Sequence, residues 1–209
     1  AQPPLFRVGS RKSGVYLKNE EEYSNYLVRR ISSQKNLVIN GSEEPLPEEA
    51  FYTFLLNMTD YFDALNLLRK RDFNTDLLFT LIKEGVNSKL FLEDKANLEA
   101  LSKELSQQDY QTGDIEFDAE RGIYEMDILD ETDHKLLRVG REILGTSDYQ
   151  RMRGAYEKIK DFNQPPFALS SKQADAKIIN TIDDIEDLFA FIMAEAKKGI
   201  NIQRYKGLG

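Results

Sequence analysis

Cysteine is absent from the 209 residues, which excludes disulfides, thiolate metal sites and a cysteine nucleophile. Histidine occurs once, at His134, so multi-histidine zinc sites and HExxH-type chemistry are excluded too. No apolar run comes near the roughly 18 residues that a membrane-crossing helix needs. Nor is there an excess of positive charge. Lys and Arg total 28 against 36 Asp and Glu, a net charge of −8. The chain as a whole is therefore not a basic nucleic-acid clamp. It opens on Ala1 rather than Met, shows no signal-segment pattern, and runs straight into alternating residues. The expectation is a piece of a longer protein. What is present suits a folded chain of one or two domains. Hydrophobic residues make up 41% and charged residues 31%, and a chain this long buries roughly 70% of its unfolded surface. No repeat or low-complexity tract interrupts it.

Periodicity places the elements. Residues 4–8 alternate like a short strand, and Val15 to Leu17 reads as its hairpin partner. Asn19 followed by Glu20, Glu21 and Glu22 predicts a capped helix with Tyr23, Tyr26, Leu27 and Ile31 on one face. Leu37 to Ile39 predicts a strand ended by the Asn40–Gly41 turn. From Pro47 the period becomes helical, with Phe51, Phe54, Leu55, Met58, Tyr61, Phe62, Leu65 and Leu68 at three- and four-residue steps. Two more helices are predicted, one around Leu77 to Ile82 stopped by Gly85, the other around Leu98 to Leu105 after Asp94. Asp114 to Ala119 and Tyr124 to Ile128 alternate as two antiparallel strands with one acidic face, and Lys135 to Val139 predicts a third. Ser147 and Gln150 have the spacing of a capping box ahead of a helix that points Arg151, Arg153, Lys158 and Lys160 outward. A strand near Phe167, a helix from Thr181 with Asp183 and Asp184 in its first turn, and a closing strand at Ile200 to Arg204 complete the reading.

The two ends carry the most specific signal. The chain starts Ala1, Gln2, Pro3, Pro4, Leu5, Phe6, Arg7, Val8. It ends Ile202, Gln203, Arg204, Tyr205, Lys206, Gly207, Leu208, Gly209. Together these resemble the B subunit of bacterial DNA gyrase, gyrase being a type IIA topoisomerase. In that family the two motifs belong to one metal-binding Toprim domain. Here about 190 residues separate them, a length similar to the large insertion of many Gram-negative B subunits. The resemblance implies that residues 1–18 are a flanking Toprim strand and hairpin. Residues 19–198 would be the insertion, with a helical part at 47–107 and a sheet-rich part at 109–169. Residues 199–209 would return to Toprim. It also implies that the ATPase and transducer domains, the catalytic glutamate and the aspartates that hold magnesium precede Ala1, and that the DNA-cleaving tyrosine belongs to the A subunit. On that mapping this stretch holds no catalytic residue, no metal and no cofactor of its own. Mg2+ and ATP would bind elsewhere in a cytoplasmic parent enzyme.

Candidate sites follow. Arg204 and Lys206 lie beside glycines that let backbone amides approach a phosphodiester, and the resemblance makes them the DNA-proximal pair, with Tyr205 in support. A plain basic strand end is the alternative. Between Asp109 and Asp133 stand ten acidic residues and one basic residue, Arg121. That face suits a partner's basic surface or exclusion of DNA better than a metal, because alternation spreads carboxylates along a strand. A solvated sheet face is the alternative. The basic helix face at Arg151, Arg153, Lys158 and Lys160 reads as solvated, with DNA contact as the alternative. His134 reads as a strand residue without chemistry.

The expected fold is α+β: a small antiparallel sheet packed with helices, a helical subdomain, and chain ends close together. The expected function is an architectural coupler in ATP-dependent negative supercoiling, inactive in isolation. Its partners would be the A subunit of DNA gyrase, other B-subunit domains and DNA, with no membrane. Two other readings stand beside it. One is a direct DNA-binding module using the basic helix and Lys206. The other is a stand-alone protein-interaction domain unrelated to gyrase.

Overall fold

The computed structural model describes residues 5–10, 12–173 and 178–205. In chain order the elements are β1 (Phe6–Val8), β2 (Val15–Leu17), α1 (Glu20–Gln34), β3 (Lys35–Ile39), α2 (Glu48–Lys70), α3 (Thr75–Lys83), α4 (Lys89–Glu93) and α5 (Lys95–Ser106). There follow β4 (Tyr110–Thr112), β5 (Glu116–Asp118), β6 (Ile123–Asp130), β7 (Leu136–Val139), α6 (Arg141–Leu144), α7 (Ser147–Ile159), β8 (Phe167–Ser171), β9 (Ile179–Ile182), α8 (Ile185–Ala196) and β10 (Ile202–Arg204). Helices and small antiparallel sheets make this an α+β fold, as expected. The described residues form two compact units. One runs up to Thr59 and resumes at Tyr156; the other is Asp60–Ala155.

The first unit holds two three-stranded antiparallel sheets. In one, β1 lies between β10 and β2, with Phe6 opposite both Arg204 and Leu17. Phe6, Val8 and Leu17 are buried there against Tyr23, Tyr26 and Ile202, and Phe6 stacks on Tyr23 at 4.4 Å. The first and last strands are thus neighbours, which meets the expectation that the ends approach. The other sheet runs β3, β8, β9, with Leu37 opposite Leu169 and Ile39 opposite Phe167. Helix α1 begins where Asn19 Oδ1 accepts the Glu22 amide, which satisfies one orphan donor of the first turn. It packs on β3 and α8 through its Leu27, Val28 and Ile31 stripe. The Arg30 guanidinium donates to the carbonyls of Ala196 (3.1 Å) and Lys198 (3.0 Å) at the C-terminal end of α8.

The second unit is built on β6. Its C-terminal half pairs with β4, its first residues with β5, and Met126–Leu129 with β7. Met126, Ile128 and Val139 bury one face. Helices α3 and α5 contribute Leu77, Leu78, Leu81, Leu98, Leu101 and Leu105 to the core. Asn74 caps α3 and Asp94 caps α5. The Tyr149 ring is fully buried, and its hydroxyl donates to the Val86 carbonyl at 2.5 Å. Burial pushes the phenol pKa well above its ordinary value. The apolar stripe of α2 is core along its length: Phe51, Phe54, Leu55, Met58, Tyr61, Phe62, Leu65 and Leu68 are all buried.

Three local expectations are corrected. The last helix starts at Ile185 rather than Thr181. Thr181 and Ile182 belong to β9, and Asp184 is the N-cap, accepting the amides of Glu186 and Asp187. The expected Ser147–Gln150 capping box is not formed. Ser147 is already helical, the Gln150 amide donates to the Thr146 carbonyl, and the Gln150 side chain turns to the Leu144 carbonyl. His134 is not a strand residue. It sits between β6 and β7 at φ 59, with its amide on the Asp130 carbonyl.

Candidate nucleic-acid interface

The candidate site at the end of the chain is organised by the sheet β10-β1-β2. Register partners in a sheet share a face. Phe6, Leu17 and Arg204 therefore stand on the face that packs on α1, while Arg7, Tyr16 and Gln203 stand on the other. Gly9, at φ 118, opens the turn between β1 and β2. Arg204 lies 2.9 Å from Glu20, the first residue of α1, and its guanidinium carbon is 5.6 Å from the centre of the Phe6 ring. Both side chains of the ion pair are about two-thirds exposed. Such pairs are worth about 0–1 kcal/mol, so a phosphate can displace Glu20 at little cost. Tyr205 extends the ladder, its amide donating to the Leu5 carbonyl at 2.8 Å, and its ring is 41% exposed. Lys206 lies outside the described residues. On the outer face the Arg7 guanidinium stands 5.8 Å from the Tyr16 ring centre and donates to the Ser10 carbonyl. Sequence reasoning missed Glu20 as the partner of Arg204. In the sequence, its acidic first-turn position is explained by the helix N-terminus alone.

The acidic strands converge on a cation that sequence reading left unremarked. Glu116 and Glu125 sit directly opposite each other on β5 and β6, an arrangement that costs stability on its own. Arg138 on β7 lies 2.7 Å from Glu116, 3.0 Å from Asp127 and 3.8 Å from Glu125. Those carboxylates raise the guanidinium pKa further above its ordinary value, with the Glu116 hydrogen bond the largest cause. Glu125 also accepts the Arg141 amide. Asp118 pairs with Arg121. Arg138 and Arg121 thus offset part of the acidic face, which keeps an excess of carboxylates. Among the described residues no group of three or more His, Cys, Asp or Glu has the geometry to hold a metal ion.

Three of the four cations read on the basic face around α7 are likewise engaged, while Lys158 is exposed and makes no ion pair among the described residues. Arg151 pairs with Asp60 at 3.2 Å and with Asp63 at 3.7 Å, Arg153 donates to Gln150, and Lys160 pairs with Glu157. Arg204, held by a single exposed ion pair, keeps a case for contact with a polyanion.

No protein-family model matches the chain. Along its whole length it is 26% identical to the B subunit of the type 2 topoisomerase of Aquifex aeolicus, of which it covers 25%. It is 29% identical to the DNA gyrase B subunit of Rickettsia prowazekii, covering 26% of that protein. It is 27% identical to the DNA gyrase B subunit of Campylobacter jejuni, covering 24%. The chain spans about a quarter of the length of these relatives. From end to end, the chain is similar to a stretch of the B subunits of DNA gyrase and type 2 topoisomerase.

Proposed function

We propose that the chain is the insertion region of a gyrase B subunit together with the Toprim strands that flank it, and that it serves as an architectural coupler. The observation that carries this reading is the pairing of β1 with β10. Residues that lie almost the whole chain apart form one ladder, so everything between them leaves a sheet and rejoins it. The similarity to gyrase B subunits over the full length supports the same reading and speaks against an unrelated interaction domain. In this proposal ATP hydrolysis, magnesium binding and strand cleavage belong to other parts of a cytoplasmic enzyme that includes the A subunit. The chain alone neither hydrolyses ATP nor cuts DNA. It braces Toprim against the A subunit or other B-subunit domains, so that ATP-driven motion reaches captured DNA.

A second reading, direct DNA contact, keeps support at Arg204, which is exposed and weakly paired. Lys206 is proposed to act beside it. The basic helix loses support because Arg151 is already matched by two aspartates.

Removing residues 20–198 from the intact B subunit, with the hairpin rejoined to Ile200, tests the coupler. The expected result is loss of supercoiling in the presence of the A subunit, while the ATPase of the isolated N-terminal part persists. Unchanged supercoiling would overturn it.

A further inference from the structure

The Asp60–Ala155 unit holds a pocket of about 620 Å³ at the turn from α4 to β6 and α6. Leu92, Ile123 and Leu144 give it an apolar floor, and Lys89, Arg121 and Arg141 line it with three cations against one carboxylate, Glu120, which lies 4.0 Å from Arg121. Its volume falls within the range of small-ligand and side-chain pockets. Two of the three cations are engaged. Lys89 lies 3.6 Å from Glu93, and Arg121 lies 2.9 Å from Asp118. Arg141 is exposed, and its guanidinium makes no ion pair and no hydrogen bond among the described residues. An exposed aliphatic side chain, Leu90, stands on α4 next to the lining.

We propose that this pocket docks a short acidic segment of a partner protein, with an apolar side chain on the floor and a neighbouring carboxylate on Arg141. Charge complementarity selects this occupant. The pocket is a cationic spot on a unit whose sequence carries 21 acidic and 13 basic residues. A polyanion such as DNA would have to lie along Glu120 and the acidic strands as well, where repulsion accumulates over many phosphates. A segment with one or two carboxylates can meet Arg141 while engaging Glu120, the one acidic residue of the lining, far less than a run of phosphates would. An uncharged apolar segment would leave the one unmatched guanidinium unused.

The test uses the full 209-residue chain, isotope-labelled, and two capped dipeptide probes: N-acetyl-phenylalanyl-glutamate amide and its glutamine counterpart. The expected result is a set of amide and methyl shifts confined to Leu92, Ile123, Arg141 and Leu144 with the glutamate probe. The glutamine probe, and the Arg141→Gln chain, should bind about tenfold more weakly, the worth of one charge-assisted hydrogen bond. The Arg141 side chain is exposed, so this variant should keep the wild-type spectrum elsewhere. Three results would overturn the proposal: equal response to the two probes, no response at these residues at millimolar probe, or stronger shifts at the same residues with a short DNA duplex.

Discussion

Asp130 shows how much one buried carboxylate can organise. It is 6% exposed and accepts the Thr132 amide on one oxygen (2.8 Å) and the Asn74 side-chain amide on the other (2.5 Å). Asn74 in turn caps α3 and reaches the Tyr110 hydroxyl. The Thr132 amide, with Asn74 adding to it, holds the Asp130 carboxyl below the usual aspartate range against the opposing effect of burial. A lowered folded-state pKa stabilises the fold above the unfolded value of about 4, and that contribution is lost as pH falls through the folded value. Asp130→Asn should therefore cost about 1–2 kcal/mol at neutral pH. It should also lose less stability than the parent chain between about pH 5 and about pH 3. Urea midpoints at these pH values check it, and an equal acid loss in both chains would sink the assignment. Composition showed that this stretch is acidic. Only the fold shows which acid is buried, because Asp130 shares its strand with exposed Asp127.

At the scale of elements, Arg30 makes the contact most open to test. Its two hydrogen bonds satisfy the Ala196 carbonyl, which the end of α8 leaves without a helical partner, and the Lys198 carbonyl just beyond, and its charge suits that end of the macrodipole. Arg30→Met keeps the aliphatic stem and removes both bonds. It should cost about 1–2 kcal/mol and speed hydrogen exchange in the last turn of α8. Unaltered exchange there would show that water replaces Arg30 without loss. The helices themselves are legible where a cap and a long period coincide, as at Asn19 and Asp94; α3 is legible from its period and Gly85, and its Asn74 cap emerges only in the structure. The short elements β4, β9, α4 and α6 are not, since three to five residues carry little period and these lack the alternating flanks that mark β1 or β5. The start of α8 was misplaced for a related reason. Thr181 looks like a helix start locally, but its pairing with Ala168 on β8 makes it strand. Arg138 was placed on its strand, yet its role needs the register that sets it opposite Asp127.

For the molecule as a whole, the net charge of −8 is not spread evenly. Residues 60–155 carry all of it, while the other unit holds 15 acidic and 15 basic residues and is neutral. The chain-wide value argued against DNA contact in general. The division confines the net negative charge to one unit, and the unit that carries Arg204 has none. Binding of a short duplex by the chain should therefore be weak, with affinity falling by about one power of salt concentration per phosphate engaged. Glu20→Gln should tighten it about two- to fivefold, because the competing exposed ion pair is worth no more than about 1 kcal/mol. Arg151→Gln should leave it unchanged. Fluorescence anisotropy across a salt series decides this. A loss from Arg151→Gln equal to that from Arg204→Gln would return the basic helix to contention. The terminal motif singled out Arg204, and could not reveal that a residue 184 positions away guards it.

The register of the first sheet has a mechanical consequence. The chain leaves this sheet at Leu17, level with Phe6, and returns at Ile202, level with Val8. The two roots thus lie at opposite ends of neighbouring ladders that share β1. Tension that draws the roots apart along the strands slides β2 and β10 past β1, and the cross-strand hydrogen bonds bear the load together instead of parting one after another. The body between the roots is hung so that a tug on it is resisted as shear.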